Sequence, residues 1–179
     1  STNNVDVVFI DFSRAFDSIV FRKLQAKLEH YGMNGKLLNL ISAFLHNRGQ
    51  SVVLENNFSS VADVLSGVPQ GSVLGPILFL VFINDVSSVC IGKTNLKLFA
   101  DDVKLYTSFK IDESNCCSLQ KSIDLLSSWA DAWQLAINIS KCCVLPIRKR
   151  YNSSVSHPYF IKWYSTSSIN VSLGPWYNS

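Results

Sequence analysis

Residues 96–106, LKLFADDVKLY, place two aspartates between two runs that alternate in polarity. Leu96, Leu98 and Ala100 alternate with Lys97 and Phe99, and Val103, Leu105 and Thr107 alternate with Lys104 and Tyr106. A period of two belongs to paired strands, so a hairpin is predicted with Asp101-Asp102 at its turn. Turn chemistry alone does not favour that pair, because two-residue hairpin loops prefer Asn-Gly or Asp-Gly, whose central residues accept positive φ. Adjacent carboxylates on a rigid turn repel, so either one holds a proton or a cation sits between them. A plain solvent-exposed loop is the alternative.

A strand that could complete a metal site lies near the start of the chain. VDVVFID (5–11) is a near-continuous β-branched and aromatic run, expected to be buried on both faces, with Asp11 at its end. Beside the hairpin in one sheet, it would bring Asp11, Asp101 and Asp102 to one edge. Helical spacing follows in Ile19, Val20, Leu24, Leu28 and Tyr31, with Gly32 as a C′ residue, and again in Leu37, Leu38, Ile41, Phe44 and Leu45. SVVLENNFSSVADVL reads as two short strands around Asn56-Asn57, and SGVPQGSVLGP as a loop leading into a helix over 77–89. Leu119, Ile123, Leu126, Ala130 and Trp133 predict an amphipathic helix over 113–135, followed by a loop at Asn138 to Lys141 and a strand over 142–147. Helices against an antiparallel sheet make an α+β fold, and 179 residues suit a single compact domain.

Composition narrows the function classes. The apolar run VLGPILFLVFI (73–83) is shorter than the roughly 20 residues that span a bilayer and reads as a buried helix. Cys90, Cys116, Cys117, Cys142 and Cys143 include no C-x-x-C spacing, so neither a zinc ribbon nor a redox motif is indicated, and buried thiols in a reducing compartment is the preferred reading. A net charge of +3 permits a nucleic-acid partner without requiring one, and the cluster Lys141, Arg148, Lys149 and Arg150 reads as a solvated basic turn. Residues 151–179, rich in Ser, Asn and Tyr, are expected to be poorly packed. The abrupt start before the first strand is expected of a piece of something longer.

VVFIDFSRAFDSI, GVPQGSVLGPILFLVFIND, LFADDVKLY and WADAWQLAINISKCCVL follow one another across residues 5–147. In this order they resemble the first, second, active-site and fourth motifs of a reverse transcriptase palm, and more closely the enzymes of non-LTR retrotransposons of the Jockey and CR1 type. The resemblance implies a polymerase palm over residues 1–147, its antiparallel sheet packed against helices and joined by part of the fingers, with a divergent, poorly ordered tail over 148–179. It also implies an RNA-directed DNA polymerase, in which a primer 3′-OH attacks the α-phosphate of a dNTP. Two Mg²⁺ ions, with Mn²⁺ as the substitute, would assist from about 3.5–4 Å apart.

Residue roles follow from the same resemblance. Asp11, Asp101 and Asp102 are similar to the metal-binding triad, with Asp11 and Asp101 as direct ligands and the Phe12 carbonyl as a further one. Phe16 matches the bulky ring that excludes a ribose 2′-OH, an ordinary core phenylalanine being the alternative. The amides of Phe12 to Ala15 match a triphosphate cradle, with Arg14 reaching the same charge. Gln70 and Gly71 match the motif around the incoming nucleotide and template; the alternative is a turn that starts a helix, capped by Ser72 or Gly71. Lys141 is similar to a lysine that protonates departing pyrophosphate, a plain exposed lysine being the alternative. Asp17 reads as a helix N-cap or first-turn residue. His30 and His46 fall at helix ends and His157 precedes a proline, so none competes for these roles.

The implied partners are an RNA template, a DNA primer and dNTPs, with no membrane, and with upstream fingers, a thumb and an endonuclease domain supplied from outside this stretch. The rival function is a non-catalytic truncated remnant with weak Mg²⁺ or nucleic-acid binding; a nucleotidyl cyclase would leave GVPQGSVLGP without a purpose. FIKWYSTSSINVSLGPWYNS departs from the family pattern, and codons for Trp163 to Ser167 read one base over can spell Gly-Ile-Gln-Leu-Pro, so a frameshift is expected near Lys162. Cytoplasm and nucleus are the compartments expected of a retroelement polymerase.

Overall fold

The computed structural model describes residues 4–110, 116–148 and 159–161. In chain order its elements are β1 (Asn4–Ile10), α1 (Phe21–His30), α2 (Gly35–Leu45), β2 (Gly49–Gln50), β3 (Val53–Leu54), β4 (Asn57–Phe58), β5 (Ala62–Asp63), α3 (Leu74–Ile83), β6 (Asn95–Phe99), β7 (Asp102–Phe109), α4 (Cys116–Trp133) and β8 (Cys143–Ile147). Short 3₁₀ turns occupy Asn84–Val89 and Ile139–Lys141. Where the sequence suggested one domain, packing separates two units: Ser1–Ser13 with Asp85–Ser179, and Arg14–Asn84. The reason is that β1 pairs with strands far along the chain, while the intervening residues build a core of their own.

In the first unit the strands run β6-β7-β1-β8, every neighbour antiparallel. Pairing with two partners at once demands a central strand of high β propensity, which VDVVFID supplies. One face of the sheet is sealed: Val8, Ile10, Val103, Leu105 and Val144 are buried, as are Leu119, Ile123, Leu126 and Ala130 of α4, which packs on β7. The opposite face stays open. Val5, Val7 and Phe9 are only half-buried, so β1 is not covered on both sides as its composition suggested. Its apolar residues there are shielded by long neighbours instead, Lys104 laying its ammonium 5.3 Å from the Phe9 ring centre.

A polar clasp crosses this unit. Asp6, 1% exposed, accepts a hydrogen bond from the Tyr159 hydroxyl at 2.7 Å and faces Arg148 Nη1 at 2.6 Å. Gln120 brackets the adjacent Phe160, donating from Nε2 to its carbonyl at 2.7 Å and accepting its N–H at 2.9 Å. Arg148 is therefore not part of a solvated basic turn, because a buried carboxylate needs a counter-ion. Nor does a poorly packed tail include Tyr159–Ile161, where Tyr159 and Ile161 are buried. The other residues of the expected tail, with Lys149, Arg150, His157 and the expected frameshift, lie outside the described residues.

In the second unit α1 packs against α2 and α3. The C-terminus of α1 is closed as its Gly predicts: Met33 N–H donates to Leu28 and Gly32 N–H to Glu29, both at 2.9 Å, with Gly32 at φ +84°. Helix α3 buries Leu78, Phe79, Phe82 and Ile83, yet Ile77 and Leu80 stand half exposed, so the apolar run is a one-sided helix rather than a fully buried one. The segment between α2 and α3 makes two small ribbons, β2 with β5 and β3 with β4. Leu54 pairs with Asn57, which moves the inner turn to Glu55-Asn56, Glu55 taking a φ of 53°. No helix among the described residues is long and apolar enough to cross a membrane.

Candidate active site

Ile10 pairs with Val103; Asp11 follows the one and Asp102 precedes the other, so both carboxylates stand at the same end of the β1–β7 ladder. Phe99 pairs with Asp102, which leaves Ala100 and Asp101 as the two-residue loop. The turn is therefore one residue earlier than Asp101-Asp102. Ala100 supplies the positive φ, 53°, that the first position of a II′ turn requires. Asp102 becomes the exposed first residue of β7, on the face opposite buried Val103.

The backbone around Asp11 is tied down by the segment that carries Lys141. Asn138 N–H donates to the Asp11 carbonyl and Ser13 N–H to the Ala136 carbonyl, both at 2.8 Å, and Phe12 bridges Ile137 between them. The Phe12 carbonyl takes no part in those two bonds and keeps its acceptor capacity. The Ser13 amide is already committed, so it cannot join the amide cradle expected across Phe12 to Ala15. Beneath the backbone, the buried Phe12 ring lies 6.2 Å from Trp129, whose indole N–H donates to Asp85 Oδ1 at 3.1 Å. Sequence reasoning singled out neither Trp129 nor Asp85. The available signal was a tryptophan beside Ala130, one residue off the expected stripe of α4.

Asp11 Oδ2 is a buried oxygen with no hydrogen-bond donor, and Lys141 Nζ stands 3.7 Å from it. Lys141 itself is 67% exposed, held on its 3₁₀ turn by a 3.0 Å bond from its N–H to the Asn138 carbonyl. Among the described residues no three His, Cys, Asp or Glu side chains gather into a group able to hold an ion. The three aspartates thus share one end of the sheet without closing on a common point, as like charges do when left to repel. Magnesium asks for less than a protein cage: one or two carboxylates, with substrate phosphates and water. The orphan Asp11 oxygen and the uncommitted Phe12 carbonyl, both hard donors, fit that requirement. Nearby, Cys142 donates to the Asn138 carbonyl at 3.3 Å; burial pushes its thiol up, against the lowering effect of a backbone hydrogen bond at Asp11.

Within the second unit, Phe16 and Asp17 are zipped to the loop before α3. Val68 N–H donates to Phe16 and Gly67 N–H to Ile19; Ser66 Oγ donates to the Asp17 carbonyl at 2.7 Å and Gln70 Nε2 to Asp17 Oδ1 at 2.7 Å. Asp17 is therefore no helix cap: α1 starts at Phe21 with Val20 before it, and the Asp17 carboxylate serves Gln70 instead. The Phe16 ring stacks on Phe79 with centroids 4.1 Å apart and planes 19° from parallel. Arg14 is exposed at φ 48°, and Ala15 is buried. Gly71 sits at φ +80°, and Ser72 Oγ accepts the Gly75 N–H at 2.9 Å as α3 begins.

Known proteins resemble this chain in sequence and in fold. Residues 2–159 match the family model described as reverse transcriptase (RNA-dependent DNA polymerase). The chain is 33% identical over 140 residues to the RNA-directed DNA polymerase from mobile element jockey of Drosophila funebris, covering 75% of this chain and 15% of that protein. It is 31% identical over 151 residues to the jockey polymerase of Drosophila melanogaster, covering 81% and 16%. The chain thus spans about 15% of the length of the curated relatives it matches. Among solved structures, telomerase from Candida albicans with a fragment of telomeric RNA shares the fold at a TM-score of 0.62 and 14% identity, over 86% of this chain and 28% of that one. Apo telomerase from Candida tropicalis gives a TM-score of 0.62 at 15% identity, over 84% and 32%. The α+β, palm-like fold is common to this chain and both telomerases.

Proposed function

The chain belongs to the reverse transcriptase (RNA-dependent DNA polymerase) family, and from that premise we propose that it is the palm portion of an RNA-directed DNA polymerase. The reaction is the joining of dNTPs to a primer 3′-OH against an RNA template. The observation that carries this reading is that Asp11 and Asp102 stand just beyond the Ile10–Val103 pair at one ladder end, with a buried Asp11 oxygen that no donor satisfies.

Two Mg²⁺ ions, when bound, supply activation of the primer hydroxyl and neutralisation of the charge on the transferred phosphate. Asp11, Asp101 and Asp102, with the Phe12 carbonyl, would hold them. Lys141, whose Nζ stands 3.7 Å from Asp11 Oδ2, holds a proton at Nζ for the departing pyrophosphate. Phe16, its ring fixed by stacking on Phe79, presents a rigid surface to the sugar. Arg14, Ala15, Gln70 and Gly71 belong to nucleotide binding, Gln70 being oriented by Asp17. A polyanionic partner also suits the open sheet face, where Lys97 and Lys104 stand directly across the β6–β7 ladder. Like charges in that relation repel, and a phosphate backbone offsets the repulsion.

Primer extension on poly(rA)/oligo(dT) with Mg²⁺ and labelled dTTP tests the reading, comparing the chain with its Asp101→Ala, Asp102→Ala double variant. Incorporation lost in the variant is the expected result. No incorporation by a chain shown to be folded overturns catalysis by this polypeptide alone and leaves the non-catalytic reading.

A further inference from the structure

We propose, resting on the polymerase reading, that Asp17 is a positioning residue for nucleotide binding. It holds the Gln70 side-chain amide in one of its two orientations, so that Oε1 is the atom presented to a hydrogen-bond donor of the nucleotide.

Asp17 is itself fixed by its backbone. Its N–H donates to the Arg14 carbonyl at 2.9 Å, and its own carbonyl accepts the Ser66 hydroxyl at 2.7 Å. On either side, Val68 N–H donates to the Phe16 carbonyl at 2.9 Å and Gly67 N–H to the Ile19 carbonyl at 2.8 Å. Gly67 lies so close that a Cβ would meet the Asp17 backbone at 2.7 Å. None of these contacts uses the carboxylate, which is left for Gln70. Both side chains stand on segments already tied together, so little freedom is lost when they meet.

The Gln70 amide has two unlike ends, Nε2 with its protons and Oε1 with lone pairs alone. An ionised carboxylate has no proton to give, so the 2.7 Å contact with Asp17 Oδ1 requires Nε2 on that side. Turning the amide over would set oxygen against oxygen. The flipped state is thereby removed, and Oε1 faces away from Asp17. Among the described residues no donor bonds that oxygen, and Gln70 is the one side-chain partner of Asp17. Both residues are exposed, so a ligand can reach the amide. A triphosphate offers only acceptors and cannot supply what Oε1 needs. The donor is therefore the sugar hydroxyl or a base N–H.

The full 179-residue chain, labelled with nitrogen-15, is titrated with dTTP and with dideoxy-TTP in Mg²⁺ without primer, so that the readout needs no turnover. In the free chain, Asp17→Ala should move the Gln70 side-chain N–H resonances and leave the Gly67 and Val68 amides in place, because those amides bond to backbone. The same variant should weaken dTTP about fivefold, the worth of one exposed hydrogen bond. Asp17→Asn can accept or donate and so permits both orientations; it should weaken dTTP about twofold by halving the competent population. Removing a negative charge would by itself tighten a triphosphate, so weakening reads the orientation of Gln70 and not the charge. Weakening of dTTP but not of dideoxy-TTP supports the sugar hydroxyl as the donor; equal weakening supports the base. A chain that passes the free-chain comparison yet binds no dTTP overturns the polymerase reading and upholds the hold of Asp17 on Gln70. Unmoved Gln70 resonances, Gly67 and Val68 amides that shift with them, or dTTP bound as tightly or more tightly by Asp17→Ala would overturn the proposal.

Discussion

Lys141 Nζ lies 3.7 Å from Asp11 Oδ2, beyond hydrogen-bond reach, yet Lys141 is 67% exposed while that oxygen is buried. The pair joins an exposed ammonium to a carboxylate whose backbone is pinned by Asn138. A mostly exposed ion pair contributes under about 1 kcal/mol to folding. Lys141→Ala should therefore leave the urea midpoint almost unchanged. If Lys141 donates the proton to pyrophosphate, the same variant lowers kcat about 10²-fold with little change in KM for dNTP. Equal loss in stability and turnover would mark the lysine as structural.

Gly67 and Gly32 share a positive φ, +83° and +84°, but differ in surroundings. A Cβ on Gly67 would meet the Asp17 backbone at 2.7 Å, whereas one on Gly32 would meet nothing within 4 Å. Gly32→Ala should cost about 1 kcal/mol, the conformational penalty alone. Gly67→Ala adds a backbone clash and should cost about 3 kcal/mol. Chemical denaturation of the two variants checks the ranking.

The thiols give a pH-dependent readout. Burial pushes Cys142 up, and Cys90 and Cys143 are raised for the same reason, while Cys117 is exposed. A raised thiol stays protonated in the folded chain after it would ionise in the unfolded one. Stability from these groups is thus complete at neutral pH and falls as pH rises through the alkaline thiol range. At mildly alkaline pH iodoacetamide should label Cys117 first and Cys142 last, as peptide mass mapping would show.

Asp6 joins β1 to two groups that follow β8. Arg148→Ala leaves a carboxylate that is 1% exposed without its counter-ion and should cost about 3 kcal/mol. Tyr159→Phe removes one hydrogen bond and should cost about 1–2 kcal/mol. Because both act on Asp6, the double variant should lose less than the two costs combined. Additive losses would mean that Arg148 and Tyr159 act independently.

The sheet and its acidic edge were legible because they are written in short-range pattern. Period-two alternation gave β6 and β7, the apolar run gave β1, and Gly32 marked the end of α1. What escaped depends on long-range pairing or on backbone strain. Asp6 looks like one polar residue in a strand until Arg148 and Tyr159, far along the chain, are brought to it. The turn was misplaced by one residue because Ala100, rather than an Asp, accepts the positive φ. Asp17 was read as a local cap, whereas its carboxylate answers Gln70 across 53 residues of sequence.

Phe16 decides whether its motif position carries selectivity or only packing. Stacked on Phe79 at 4.1 Å, its ring has little freedom to retreat from a sugar placed against it. A fixed ring rejects a 2′-OH by overlap, whereas a smaller side chain leaves room for it. Phe16→Val should thus raise ribonucleotide incorporation relative to deoxynucleotide by about tenfold or more. The lost stacking and cavity should cost about 1–3 kcal/mol in stability, less than for a fully buried phenylalanine because Phe16 is only half-buried. Phe79→Leu supplies the control, since it disturbs the stack without shortening Phe16. If rNTP and dNTP use are measured for both variants, a change in their ratio confined to Phe16→Val establishes the steric role. An equal change in both assigns selectivity to the packing of the stack rather than to the Phe16 ring itself.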